Sequence, residues 1–423
     1  MLIVYNIFTI LIYPVLFILL LIRKIFHKEN AESLYDKCLP SRKLNKEKGK
    51  KIIWFHAASI GEVQSIFPLI DRLNHNYKNL EFLITSNTIS SGKIVKQKIS
   101  SSDNIRHRYF PLDIFFLIQS FLNIWKPSLA IFVDSEIWPG FLSSIKKRKI
   151  PLVLINGRIT KKTYNRWKYI DFFSKKIFQL FDLCLASSEE SHNHLAGLKA
   201  KNIKYIGNLK YCVNHEFTNL SIKNKLHIKS KKTWCAASTH KGEEEFCFKV
   251  HKKIKKIHKN LLTIIIPRHI VRSKDIQSTA KKMDLEARIL SKNEDFEDTE
   301  EIIIINSFGE LSKYFNDCDN VFMGKSIVDR LSKEGGQNPI EAAKRGCKIF
   351  HGPYFYNFNE VYKHLQKLGI ADEISSEEEL AEKLIKNFSF KENFKKKNIE
   401  LINNHGDEIL NKTIKEINKF INL

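Results

Sequence analysis

No C-x-x-C pair occurs in this 423-residue chain, although it carries seven cysteines (Cys38, Cys184, Cys212, Cys235, Cys247, Cys318 and Cys347). Scattered this way, they argue against a zinc ribbon or a disulfide framework and suit a reducing compartment. No D-x-D pair stands at a convincing strand end; Asp317-Cys318-Asp319 instead precedes an apolar run. Neither a metal nor a cofactor is expected. Short-period repeats are missing, and so are low-complexity tracts beyond a lysine bias. Acidic residues are scarce: 46 Asp and Glu face 70 Lys and Arg, a formal net charge of +24. Such an excess points to nucleic acid or to an anionic membrane. Lys, Asn, Ile and Phe are abundant throughout, as an AT-rich genome would produce, so the charge alone is a weak pointer.

What is present begins with residues 2–22, apolar except for Asn6, Thr9 and Pro14. As a helix this run would extend about 32 Å, enough to cross a hydrocarbon core of about 30 Å. No basic n-region precedes it and no A-x-A-like site follows, which disfavours a cleaved signal peptide. Arg23, Lys24 and Lys28 come just after it and place the remainder in the cytoplasm by the positive-inside rule. A spanning or deeply embedded anchor is expected, the alternative being a core helix. A tethered body with basic segments should face anionic lipid, and nucleic acid is not expected as a partner.

Length and a 43% hydrophobic share favour two domains over one. After a charged connector at 42–51, strand-length apolar runs alternate with helical patterns. The expected strands are 52–56, 82–85, 129–133, 152–155, 183–186 and 204–206. A polar stretch at 214–232 reads as a linker, and alternation resumes with strands at 233–237, 262–266, 302–305, 320–323 and 348–350. Short apolar strands between helices imply parallel sheets covered on both faces. The expected fold is therefore α/β, two Rossmann-like domains facing a cleft, with ligands beyond the carboxyl ends of the strands. The expected divisions are an anchor at 1–25, an N-terminal domain at 26–213 and a C-terminal domain at 214–423.

Chemistry-bearing residues gather at those strand ends. The first strand runs into Ala57-Ala58-Ser59-Ile60-Gly61-Glu62, where Ser59 and Glu62 have capping-box spacing; Glu62 is either structural or a general base. Asp134 and Glu136 follow the third strand, as a helix cap or as site carboxylates, and Lys210 follows the sixth. In the second half, Arg268 after Pro267 suits a phosphate, because a guanidinium can bond two oxygens at once. Asn306-Ser307-Phe308-Gly309-Glu310 has capping-box spacing too. Gly335-Gly336-Gln337-Asn338-Pro339-Ile340-Glu341 combines glycines that permit close ligand approach, a helix start for phosphate and a carboxylate for ribose. The same residues also make a good helix start without a ligand, with Asn338 as N-cap, Pro339 at N1 and Glu341 at N3.

HAASIGE (56–62), DSEIWP (134–139), NGRIT (156–160), GNLKY (207–211), ASTHKGEEE (237–245), PRH (267–269), GGQNPIEAA (335–343) and HGPYFYNFNE (351–360) together resemble the bacterial 3-deoxy-D-manno-octulosonic acid (Kdo) transferases. The resemblance covers nearly the whole chain in order. It implies a GT-B fold and metal-independent, inverting transfer of Kdo from CMP-Kdo to the lipid A precursor at the bacterial inner membrane, the first domain taking the acceptor and the second the CMP-sugar. It implies Glu62 as proton acceptor, Glu136 and Lys210 as supports of the transition state, and CMP-binding segments at Pro267-Arg268, Phe308-Gly309-Glu310 and Asn338-Pro339-Ile340-Glu341. Two departures stand out: Gly324-Lys325-Ser326 where the family often has Gly-Gly-Ser, and Phe308-Gly309-Glu310 where it often has Met-Gly-Glu. Basic residues at 146–149, Lys161, Lys162, Arg166 and Lys168 would face a phosphorylated lipid. Residues 115–121 form either a seat for acyl chains or, more simply, a buried helix face. The rival readings are a membrane-associated GT-B enzyme using a UDP-sugar and a tethered, non-enzymatic nucleic-acid or lipid binder.

Overall fold

The computed structural model describes residues 2–39, 49–100, 102–213, 230–292, 294, 296–307, 309, 311–332, 335–389 and 394–421. The expected linker at 214–232 lies almost wholly outside them, as do most of the connector at 42–51, Phe308 and Glu310. In the first half the strands are β1 (Lys51–His56), β2 (Leu80–Ser86), β3 (Ile105–Tyr109), β4 (Leu129–Val133), β5 (Leu152–Gly157), β6 (Leu183–Ala186) and β7 (Ile203–Tyr205). In the second half they are β8 (Lys232–Thr239), β9 (Leu261–Pro267), β10 (Arg288–Leu290), β11 (Ile302–Ile305), β12 (Asn320–Met323), β13 (Lys348–His351) and β14 (Ala371–Glu373).

Each set forms one parallel seven-stranded sheet, ordered β3-β2-β1-β4-β5-β6-β7 and β10-β11-β9-β8-β12-β13-β14. Central strands such as β2, β4 and β5 are buried along their whole length, as a sheet covered on both faces requires. Strand order reverses between β1 and β4 in the first sheet and between β8 and β12 in the second, the places where doubly wound sheets open a ligand crevice. Three strands escaped the sequence reading, β3, β10 and β14, and all three are sheet edges. The β3 run Ile105-Arg106-His107-Arg108-Tyr109 buries only alternate residues, so it lacks the continuous apolar signal.

The first core is built on Trp54 of β1, whose ring lies 4.9 Å from Phe121 and 5.3 Å from Phe132, centroid to centroid. Helix Phe115–Trp125 contributes Leu117, Ile118, Phe121, Leu122 and Trp125 to that side of the sheet, so its buried face is structural; Phe115 and Phe116 stay exposed. Trp234, Phe248, Ile265 and Phe322 anchor the second core. All seven cysteines are free and buried.

The chain divides into two compact units, residues 1–214 with 406–423, and residues 215–405. The expected second domain at 214–423 thus needs correcting at its end. Helix Phe394–Ile421 starts in the second unit and finishes in the first, where Cys212 Sγ donates to Gly406 O at 3.2 Å, Lys204 pairs with Glu416 at 2.8 Å and Lys51 Nζ donates to Ile421 O at 3.2 Å. Residue charge periodicity along one long helix carries no mark of such a change of unit.

Candidate active site

The reversal point of the first sheet collects the expected residues. Ser59 caps helix Ile60–Asn76, which begins directly after β1, and Glu62 lies in its first turn. The Glu62 carboxylate accepts from Ala58 N at 2.8 Å (Oε2) and from Ser59 Oγ at 2.7 Å (Oε1). Burial pushes this carboxyl up to about 7; Asp134 and Glu136 push the same way, against the Ser59 and Ala58 hydrogen bonds. The capping role and the raised pKa therefore coexist in one side chain.

Glu136 comes from the turn after β4. Its Oε2 lies 3.2 Å from His56 Nε2 and accepts from Trp138 Nε1 at 2.8 Å. Burial alone would raise its carboxyl, but the His56 hydrogen bond and charge and the Trp138 indole outweigh this and hold it below the usual value. Thr85 Oγ1 accepts from Trp54 Nε1 at 2.9 Å and sits 3.0 Å from His56 Nδ1. The Thr85 hydroxyl donates to Phe55 O at 3.3 Å, and since an ionised carboxylate only accepts, His56 Nε2 carries the proton shared with Glu136. The His56 ring also stacks on Phe110, centroids 3.7 Å apart.

Lys210 sits in the short turn Leu209–Cys212, capped by Asn208, whose side chain accepts from Lys210 N at 3.0 Å. Asn156, at the end of β5, holds Leu209 N at 2.9 Å. This places the Lys210 stem beside Gly61, where a Cβ would lie 3.9 Å from its Cε, and its charge favours ionisation of the buried Asp134, which burial raises. Glu62, Glu136 and Lys210 are thus brought together around Asp134. Sequence reasoning assigned no role to His56, Asn156 or Asn208; the available signal was a polar side chain ending an otherwise apolar strand.

The second unit holds the other expected residues. Arg268 is exposed after Pro267 closes β9, its N–H bonded to Thr239 O at 3.0 Å. Glu243 is buried and accepts from the backbone N–H groups of Lys325 (2.7 Å), Ser326 (2.8 Å), His240 (2.8 Å) and Ile327 (3.3 Å), knitting the turns after β8 and β12 together. Burial raises its carboxyl and these donors work against that. Gly309 has φ +81° with open space where a Cβ would point.

The glycine pair has a purpose different from close ligand approach. A Cβ on Gly335 would fall 2.3 Å from Tyr354 O, and one on Gly336 3.0 Å from Phe355 Cα, so these glycines admit the backbone of the HGPYF segment. Asn338 is not the N-cap either. Pro339 occupies that place before the five-residue helix Ile340–Lys344, while Asn338 Oδ1 accepts from Ile340 N at 3.2 Å. Pro339 and Ile340 are buried, and Glu341, half-buried, accepts from the Ser312 hydroxyl. Among the described residues, no group of three or more His, Cys, Asp or Glu side chains is arranged to hold a metal ion.

Backbone strain marks both reversal points. Asp134 (φ +60°) follows β4, Ser238 (φ +55°) lies in β8 and Lys325 (φ +61°) follows β12, left-handed conformations that side chains adopt at a cost of about 1–3 kcal/mol. Such strain clusters where function over-determines the backbone.

Two doubly wound units of this kind define a GT-B protein. A UDP-GlcNAc 2-epimerase structure from Neisseria meningitidis bound to UDP-GlcNAc shares the fold, with a TM-score of 0.57 and 14% identity over 86% of this chain and 100% of that one. Residues 34–213 match the family described as 3-deoxy-D-manno-octulosonic-acid transferase. The chain is 31% identical over 381 residues to the 3-deoxy-D-manno-octulosonic acid transferase of Rickettsia bellii, covering 89% of this chain and 88% of the relative. It is 30% identical over 341 residues to that of Haemophilus influenzae, covering 79% and 78%. The chain belongs to the 3-deoxy-D-manno-octulosonic acid transferases, glycosyltransferases that transfer Kdo in lipopolysaccharide synthesis.

Proposed function

We propose that this chain transfers Kdo from CMP-Kdo to a hydroxyl of the lipid A precursor, lipid IVA, with inversion and without a metal, Glu62 acting as general base. The observation that carries the reading is the Glu62 carboxyl, raised to about 7 by burial and by neighbouring carboxylates, close to the pH at which a base works best. A sugar hydroxyl is too weak an acid to attack unaided. Glu62 already accepts two hydrogen bonds, and its carboxylate has lone pairs left for the acceptor proton.

Glu136, held ionised by His56 and Trp138, offsets the positive charge that develops at the anomeric carbon. The Lys210 charge favours ionisation of Asp134 against the burial that raises it, and offsets repulsion among the three carboxyl groups. The CMP-sugar belongs to the second unit: Arg268 meets the departing phosphate, and Asn338 and Glu341 are the half-buried polar groups of their segment that can reach the nucleotide. Pro267, Pro339 and Ile340 shape those segments, and Phe308, Gly309 and Glu310 complete the donor site. A single base and a single displacement give inversion. The apolar first helix holds the enzyme at the bacterial inner membrane with its catalytic units on the cytoplasmic side.

CMP release from CMP-Kdo with a lipid A precursor, followed together with the mass of the lipid, tests this. Acceptor-dependent release with an added Kdo mass, lost in Glu62→Gln, is the expected result. Folded, lipid-binding protein that releases no CMP, or that UDP rather than CMP protects against heat, overturns the donor assignment.

A further inference from the structure

Helix Leu2–Ile25 is long and apolar enough to cross a membrane, yet one face of it is buried or half-buried in the first unit. Leu2, Tyr5, Thr9, Tyr13, Phe17 and Leu20 recur at three- and four-residue spacing and are buried or half-buried, one continuous stripe. At one end Tyr5 Oη donates to Asp113 Oδ2 at 2.6 Å, and the Tyr5 ring lies 6.3 Å from Phe173. Asp113 also accepts from Gly140 N (3.0 Å) and Phe141 N (2.8 Å), so the clamp is joined to the start of helix Pro139–Lys147. Further along, Tyr13 meets Phe116 edge-on at 5.3 Å, and in the last turn Arg23 pairs with Glu29 at 3.2 Å. The opposite face of the helix (Ile3, Phe8, Leu11, Val15, Ile18 and Ile22 among others) is exposed and wholly apolar.

We infer that this helix lies along the membrane surface, with protein on one face and lipid on the other and with both its ends on the side of the folded body. The inference rests on the membrane attachment proposed above and fixes its geometry. If the helix crossed the bilayer, the surfaces clasping it from Tyr5 to Leu20, about 22 Å apart along its axis, would sit within the hydrocarbon. Helix Pro139–Lys147, which packs on it, ends in the Lys146–Asp182 ion pair and the exposed Lys147, and charges placed in hydrocarbon are costly. An interfacial helix has no such conflict.

The neighbouring surface supplies the remainder of a lipid-facing patch. Tyr169 and Ile170 on a link, and Phe172 at the start of the following helix Asp171–Phe178, are exposed beside Phe173, and Phe115 and Phe116 are exposed beside Tyr13. Helix Lys161–Lys168, with no buried residue, leads into that link and carries Lys161, Lys162, Arg166 and Lys168. An apolar strip flanked by cations fits an anionic bilayer, in which each basic residue near the surface adds attraction.

The test places an epitope tag at each end of the full-length chain and digests inverted vesicles and spheroplasts with protease. Loss of both tags in the same preparation is the expected result. Loss of the two tags in opposite preparations, or an N-terminal tag shielded in both, overturns the in-plane helix while leaving membrane attachment intact. Recovery of the chain in the soluble fraction instead overturns the attachment itself. Flotation with phosphatidylethanolamine vesicles, with and without phosphatidylglycerol, tests the occupant. Replacing Lys161, Lys162, Arg166 and Lys168 with Gln should lower binding to the anionic vesicles about ten-fold or more. An unchanged affinity rejects the cationic flank.

Discussion

His56 Nε2 and Glu136 Oε2 stand 3.2 Å apart at the ends of adjacent strands, and the imidazole donates the hydrogen bond that keeps the carboxylate ionised. His56 is a positioning residue in this arrangement. His56→Asn should raise the Glu136 pKa, read from the titration of its side-chain carboxyl by NMR, while the protein stays folded. A Glu136 titration that stays in place would mean that the pair is only structural.

Glu62→Gln should lower kcat by about 10²–10⁴-fold with little change in donor affinity. The same substitution has a pH-dependent effect on stability. The folded carboxyl is raised from 4.5 to about 7, so folding favours the protonated form. That contribution is fully present below 4.5 and lost as pH rises through about 7. Gln should therefore be close to neutral in acid and stabilising by about 1–2 kcal/mol near pH 8, partial exposure allowed for. Thermal melts across pH measure this.

Lys325→Gly should stabilise the chain by about 0.5–1 kcal/mol, because φ +61° strains a side-chain-bearing residue and not glycine, whose looser unfolded chain takes back part of the gain. The family's frequent Gly-Gly-Ser fits this backbone better than Gly324-Lys325-Ser326 does. A lower melting temperature for the variant would show that the lysine side chain contributes more than its strain costs.

Gly335→Ala places a methyl group 2.3 Å from Tyr354 O, which is backbone and has little room to yield. A loss of about 2 kcal/mol or more is expected in chemical denaturation. CMP-Kdo binding should weaken only through unfolding, since the glycine packs on protein.

The sheets were legible because their central strands are covered on both faces and read as unbroken apolar runs. The edges β3, β10 and β14 were not, since an edge strand is short or half-polar and resembles a loop. Glu62, Glu136 and Lys210 stood out as charged residues ending such runs. His56 and Asn156 were overlooked because each belongs to the end of an apolar strand, where a single polar residue looks like a packing detail. At Gly335-Gly336 the sequence announced a close approach but not the partner, and the partner is the backbone at Tyr354-Phe355. The cap before Ile340–Lys344 shifted by one residue because Asn338 spends its side chain on Ile340 N across Pro339.

The last helix makes the order of synthesis differ from the order of completion. The first unit emerges from the ribosome early, but Gly207 packs on Ile409, and Lys51, Lys204 and Cys212 wait for partners at residues 406–421. Until the codons for those residues are translated, part of the surface of the first unit stays uncovered, while the second unit already has nearly all of its chain. A frameshift just ahead of those codons would therefore injure the unit encoded first, leaving an aggregation-prone face on the half that carries Glu62.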